Sequence, residues 1–470
     1  MELDENNQNN NAEVEISFFT RLKEDKYSVP RGTFIVLSEI TRAGLSELLN
    51  QLLDLESHVI FDFLVDGIFL RGSLADYLIS CGKTSESILK VEYILAIGKP
   101  NTILIDENND WIRRVINGLN TDYPVVITSS YDGIVRFYKS NNFNLLNTKN
   151  KNLKLDIKDQ ENCPIMEFDT KDTCGHCTTV LSMATYPSND SDYSKLWFST
   201  MDGGIIGIDY LLGSDHEKND FKVRFYQPEA CNGPIEALSP ITSEGSLVVC
   251  GSQSGDMHLL SSTDLTHKNS EQIDTYLQLE ELFELKVHKS SISEIVSVGD
   301  YVISSSLDGT LKIVQIPRGV IISGWDTKAS VTSLSIKNNH SCDIICTSHD
   351  DGKVRIWDLR AGATSQLDIN NSSNKSMASI DNNTRLIQRS AINAHRRLIS
   401  QLKWNPLSDY MLGSVSHDFN LKILDIRSPL VPLQSVDTNE KLLTLSWSDS
   451  KTIYTGGSSG KLLMHSFYTI

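Results

Sequence analysis

ITSSYDGIVRFY, spanning Ile127 to Tyr138, reads as a strand–turn–strand unit. A short apolar run ends in a small polar pair, Ser129 and Ser130. Asp132-Gly133 follows, then the strand-like run Ile134 to Tyr138. Asp-Gly is a strong hairpin signal because both residues tolerate positive φ, and β-branched and aromatic residues mark the flanking strands. The phrase returns at 198–208 (FSTMDGGIIGI), 250–260 (CGSQSGDMHLL), 303–314 (ISSSLDGTLKIV), 346–357 (CTSHDDGKVRIW), 413–424 (GSVSHDFNLKIL) and 455–466 (TGGSSGKLLMHS).

The seven turns sit at Asp132, Asp202, Ser254, Asp308, Asp351, Asp418 and Ser459, between 41 and 70 residues apart. A four-stranded propeller blade needs about 40 to 45 residues, so the longer spacings carry insertions. Composition places these at 141–172, 264–280 and 361–390, all polar and read as surface loops. His176, His288 and His395 each precede a short strand by a few residues, and blade five carries the dipeptide Trp357-Asp358. In a WD-repeat blade such a loop histidine can bond the turn aspartate, with a strand serine and a tryptophan completing the chain. The network satisfies buried polar groups and locks the blade. Asp132, Asp202, Asp308, Asp351, Asp418, His176, His288, His395 and Trp357 are therefore read as structural blade residues. Blades three and seven lack both the aspartate and the histidine and read as degenerate. The chain ends in one strand-like run with no room for another. A strand within 94–108 is therefore expected to complete the seventh blade and close the ring.

The segment 13–93 differs in pattern. Val14, Ile16 and Phe18 alternate like a strand, and Thr33–Leu37 resembles a second. Leu45, Leu48, Leu49, Leu52 and Leu53 recur at helical spacing over 43–54. Phe61–Val65 and Ile68–Leu70 flank an Asp66-Gly67 turn, a short helix is expected over Leu74–Ile79, and a last strand over Ile88–Tyr93. This order is that of a ubiquitin-like β-grasp. The expected architecture is thus an acidic, disordered tail (1–12), an α+β ubiquitin-like domain (13–93), a linker with a propeller-closing strand (94–108), and an all-β seven-bladed WD40 propeller (109–470).

Composition excludes several functions. The net charge of −17 argues against a broad phosphate-binding surface and leaves room only for a local basic patch toward RNA. No apolar run reaches the about 18 residues needed to span a bilayer, and the acidic N-terminus lacks the basic and apolar regions of a signal peptide. Eight scattered cysteines read as reduced thiols in cytosol or nucleus. Cys174-Gly-His-Cys177 has no second ligand pair at zinc-like spacing, so His176 keeps its structural reading. The His, Asp and Ser residues recur blade after blade, unlike a catalytic site, and no phosphate-binding glycine loop or HExxH occurs. The chain is expected not to be an enzyme and to carry no cofactor of its own.

FFTRL (18–22), FDFLVDGIFLRGSLADYL (61–78), SESILKVEY (85–93) and the Asp110-Trp111 pair opening blade one closely resemble the WD-repeat ribosome-assembly factor family of the PeBoW complex. That complex joins Pescadillo, the block-of-proliferation protein and this WD-repeat member. The resemblance implies a factor for rRNA processing and large (60S) subunit maturation, in nucleolus and nucleoplasm, monomeric outside its complex. It implies a propeller that holds the block-of-proliferation partner on the pre-60S particle. It also implies a ubiquitin-like domain that docks on the adhesion site of the AAA ATPase midasin. The family's metal-contacting glutamate falls on Glu86, in Gly82-Lys-Thr-Ser-Glu-Ser87, where it would complete the coordination of the partner's Mg²⁺. Two alternatives stand beside this. One is a Notchless-type pre-60S factor, whose family has eight blades. The other is a substrate receptor of a cullin-RING ubiquitin ligase, resting on Trp357, Asp358 and Arg360.

Overall fold

The computed structural model describes residues 13–467, apart from 23–24, 31, 56–57, 85–86, 119–124, 140–163, 187–192, 213–218, 242–246, 263–277, 339–340 and 360–386. The expected tail, most of the three polar insertions, Glu86 and Arg360 lie outside the described residues. The chain divides into two compact units, one over Met1–Pro100 with Phe467–Ile470 and one over Asn101–Ser466.

The first unit is a five-stranded sheet crossed by one helix. β1 (Glu13–Phe19) pairs antiparallel with β2 (Phe34–Leu37) and parallel with β5 (Leu89–Leu95). β3 (Phe61–Val65) joins β5 on its other side, and β4 (Ile68–Phe69) forms the far edge. The order β2-β1-β5-β3-β4 is the β-grasp arrangement. Helix α1 (Arg42–Leu53) forms because its leucines fall on one stripe; Leu45 and Leu49, one turn apart, are wholly buried against Val14, Ile16, Phe61, Phe63 and Val91. Helix α2 (Leu74–Cys81) begins at a capping box. Ser73 accepts from the Asp76 N–H, and Asp76 reaches back to the Ser73 N–H. It runs past Ile79 to a left-handed Gly82.

Among the described residues the second unit holds seven four-stranded sheets. The innermost strands are Ile112–Gly118, Val180–Tyr186, Ile235–Pro240, Ile292–Val298, Val331–Asn338, Ile399–Trp404 and Leu442–Trp447. Each touches the next, and the seventh touches the first, so the sheets form a closed propeller ring. All seven carry a register shift at the same place, two residues into the strand, in their pairing with the next strand. A bulge there increases the local twist that each blade needs. Asn101–Glu107 is the outermost strand of blade seven, antiparallel to Lys461–Ser466, so that sheet is built from both ends of the unit.

Six of the seven hairpin turns place a glycine at positive φ: Gly133, Gly203, Gly255, Gly309, Gly352 and Gly460. The need is steric as well as torsional. A Cβ on Gly352 would stand 2.3 Å from the His395 carbonyl oxygen. Blade six carries Phe419 at this position, with φ +70°, a conformation that side chains other than glycine rarely adopt.

Candidate functional site

The blade residues sit where the hairpins meet the loops from the preceding blade. In blade six, His395 Nδ1 lies 3.0 Å from Asp418 and its Nε2 2.9 Å from the Ser414 hydroxyl. Asp418 also accepts from the N–H groups of Arg396 and Asn420, at 3.0 and 3.2 Å. Burial holds the imidazole below its ordinary value, hence neutral, with its proton on Nδ1 facing the carboxylate. Burial opposes ionisation of Asp418, but the hydrogen bonds from His395 and Arg396 overcome it and hold the carboxyl far below the usual range.

Blade four varies the theme. His288 bonds Thr310 Oγ1 and Ser304 Oγ, each at 2.8 Å, and stands 3.6 Å from Asp308. Burial pushes His288 down to about 4. Among the described residues no tryptophan completes either chain. Lys312 and Lys422, four residues after the turn aspartates, donate to the carbonyls of Val287 and Ala394, each just before a loop histidine. Blades one and five replace the histidine altogether. Arg136 grips Asp132 at 2.9 Å, and Arg355 grips Asp351 at 2.7 Å. Trp357 is buried in blade five, where its Nε1–H donates to Thr347, whose hydroxyl lies 2.8 Å from His349 Nε2. In blade two the 3.0 Å contact of His176 with Asp202 is more than half exposed.

Blade seven is less degenerate than its sequence suggests. Glu440 accepts from the Ser459 N–H at 3.0 Å and from its hydroxyl, standing in for the missing turn aspartate. His465 is wholly buried between Thr455 and Thr102, both at 2.9 Å, so a histidine also ties in the closing strand. The cation four residues after the turn was the signal available in sequence for the arginine and lysine locks. Glu440 and His465 had none, because each is defined only by the folded partner.

A second network spans the inner strands. The buried Glu294 of blade four accepts from Ser333 of blade five at 2.5 Å and from Lys403 of blade six. Burial disfavours its charge, but Lys403 and Arg114 outweigh it and hold the carboxyl below the usual range. Arg113 of blade one reaches Glu236 of blade three at 2.6 Å. The Lys403–Glu294 and Arg113–Glu236 contacts link non-adjacent blades.

In the first unit, Lys83, two residues past the end of α2, is held in place. Lys83 pairs with Asp66 in the β3–β4 turn, and the Tyr77 hydroxyl donates to the same carboxylate at 2.8 Å. The Lys83 hydrogen bond leads in holding the Asp66 carboxyl below its ordinary value. Leu89, three residues past Glu86, is buried at the start of β5. Ile68 in β4, Ile79 in α2 and Ile88, just before β5, are exposed.

Two family models match: the NLE (NUC135) domain over residues 14–78, and the WD domain, G-beta repeat, over 279–314 and 320–358. Ribosome biogenesis protein YTM1 from Vanderwaltozyma polyspora is 25% identical, with 96% of each chain covered. YTM1 from Saccharomyces cerevisiae strain S288c is 25% identical and the WDR12 homolog from Arabidopsis thaliana 23%, each with 96% of both chains covered. The chain is similar along nearly its whole length to these YTM1 and WDR12 proteins. The similarity runs through both units. Neither matching model is that of a catalytic family.

Proposed function

We propose that the chain is a non-enzymatic assembly factor for the large ribosomal subunit, acting in rRNA processing and pre-60S maturation in the nucleolus and nucleoplasm. The observation that carries this is the end-to-end similarity to proteins named for ribosome biogenesis, spanning both the NLE domain and the propeller. The rigid, cross-braced propeller is the part suited to hold a partner, and we assign it the block-of-proliferation protein, with Pescadillo in the same complex. The NLE domain is assigned to the midasin adhesion site. Glu86 would supply the oxygen that completes the octahedral shell of the Mg²⁺ there. The anchored Lys83 upstream and the exposed Ile79 and Ile88 on either side of Glu86 in the sequence support that assignment. Force from the ATPase would then pass through this contact to release the factor from the particle. Seven sheets among the described residues favour this reading over an eight-bladed Notchless-type factor.

The reading is tested by gradient sedimentation of the tagged chain. It should travel with large-subunit precursors, and Glu86→Ala should accumulate there. A chain that never enters these fractions, or a Glu86→Ala chain that leaves them normally, would refute it.

A further inference from the structure

Blade three lacks the turn aspartate, and the position four residues on, which is Arg136, Lys312, Arg355 or Lys422 in other blades, is His258. In blade one the arginine at this position satisfies the turn Asp132 and Glu167 of the outermost strand together. In blade three both acids come from the outermost strand, Glu280–Lys286. Glu284 is the cross-strand partner of His258. A register shift between Leu259 and Leu260 leaves Leu282 unpaired, so Glu281 returns to the same face. His258 Nδ1 lies 2.8 Å from Glu281 and Nε2 lies 4.0 Å from Glu284. One ligand atom from each of the three residues falls within 4.8 Å of the others.

The charges here do not balance. The imidazole can offset at most one of the two carboxylate charges, and water solvates the other. The neighbouring Lys286 is held by Asp256 at 3.1 Å and the Ser254 carbonyl at 2.6 Å. Among the described residues neither glutamate pairs with a lysine or arginine. The donors also differ in exposure as an open metal site requires. The imidazole is 7% exposed and fixed, while the carboxylates are 47% and 57% exposed and face water. The buried Cys250 thiol donates to the His258 carbonyl at 3.7 Å, and the buried Cys231 thiol lies 3.5 Å from it.

We propose that His258, Glu281 and Glu284 form a binding site for a divalent transition ion of the zinc type on the outer strands of blade three. One imidazole nitrogen and two carboxylate oxygens suit zinc or cobalt, with water in the remaining position; an imidazole donor disfavours magnesium and calcium. The ion ties the two outermost strands of the blade together.

The test is titration of the full chain with Co²⁺, followed by its visible ligand-field bands, and displacement by Zn²⁺. One equivalent should bind with weak bands, unaffected by millimolar Mg²⁺. Glu281→Gln and Glu284→Gln are surface changes that keep the fold, and each should weaken binding about tenfold or more. Binding unchanged in the double glutamine variant would overturn the proposal. So would an intense sulfur-to-metal band lost in Cys174→Ser/Cys177→Ser, which would move the ion to that pair. Absence of stoichiometric uptake would overturn it as well.

Discussion

Deleting residues 1–100 leaves the closing strand in place, whereas deleting 1–107 removes it; the two truncations should behave as different proteins. The strand Asn101–Glu107 forms six residue pairs with Lys461–Ser466. At about 1 kcal/mol net per backbone hydrogen bond, that ladder contributes about 5 kcal/mol. Ile105 is buried, adding about 2 kcal/mol of apolar burial. Loss of Thr102 leaves one nitrogen of the buried His465 without its partner, at a further cost of about 1–3 kcal/mol. The Tyr138 hydroxyl also loses its 2.7 Å acceptor, Asp106. The sum is close to the about 5–15 kcal/mol that holds a whole domain folded. Urea unfolding followed by tryptophan fluorescence should therefore give the 101–470 chain a cooperative transition. The 108–470 chain should be largely unfolded or aggregated through its open edge. Equal midpoints for the two chains would refute the reasoning that this strand closes the ring.

Asp418→Asn in blade six should lower stability by about 2–4 kcal/mol, since it weakens a buried charge-assisted network; Asp202→Asn, in an exposed pair, should leave the denaturation midpoint where it was. Acid should destabilise the propeller before its carboxylates protonate. Burial pushes His288, His349 and His465 down to about 4, so between pH 6.5 and 4 the unfolded chain binds protons that the folded chain does not. The stability from these neutral imidazoles is full above about pH 6.5 and lost as pH falls toward 4, by up to about 3 kcal/mol each. A denaturation midpoint flat from pH 7 to 4.5 would contradict this. Gly352→Ala should destabilise blade five, both because its φ is +75° and because its Cβ would meet the His395 carbonyl; thermal unfolding reads it directly.

Much of the fold was legible because periodicity is local. Phe61–Val65 reads as a strand and is one, and the leucines of α1 mark the buried face. The ends of elements were less so: α2 runs two residues past Ile79 because Gly82, not the apolar pattern, ends it. The loop histidines were visible as repeated letters, but their partners were not. His288 bonds Thr310 and stands 3.6 Å from Asp308, and in blades four and six the positions equivalent to Trp357 are Val314 and Leu424, while Lys312 and Lys422 bond the loop carbonyls. The Glu294–Lys403 contact joins residues 109 apart through a third blade, and nothing local encodes such a pairing. Blade seven looked degenerate because its substitute, Glu440, lies 19 residues before the turn serine it serves.

Binding of the full chain to the midasin adhesion-site domain, in Mg²⁺ and in chelator, with Glu86→Ala and Glu86→Asp alongside, tests the account most directly. Binding that is lost with chelator and with Glu86→Ala, and weakened in Glu86→Asp because the carboxylate sits a methylene short, is the predicted result. Binding indifferent to metal and to residue 86 would contradict it.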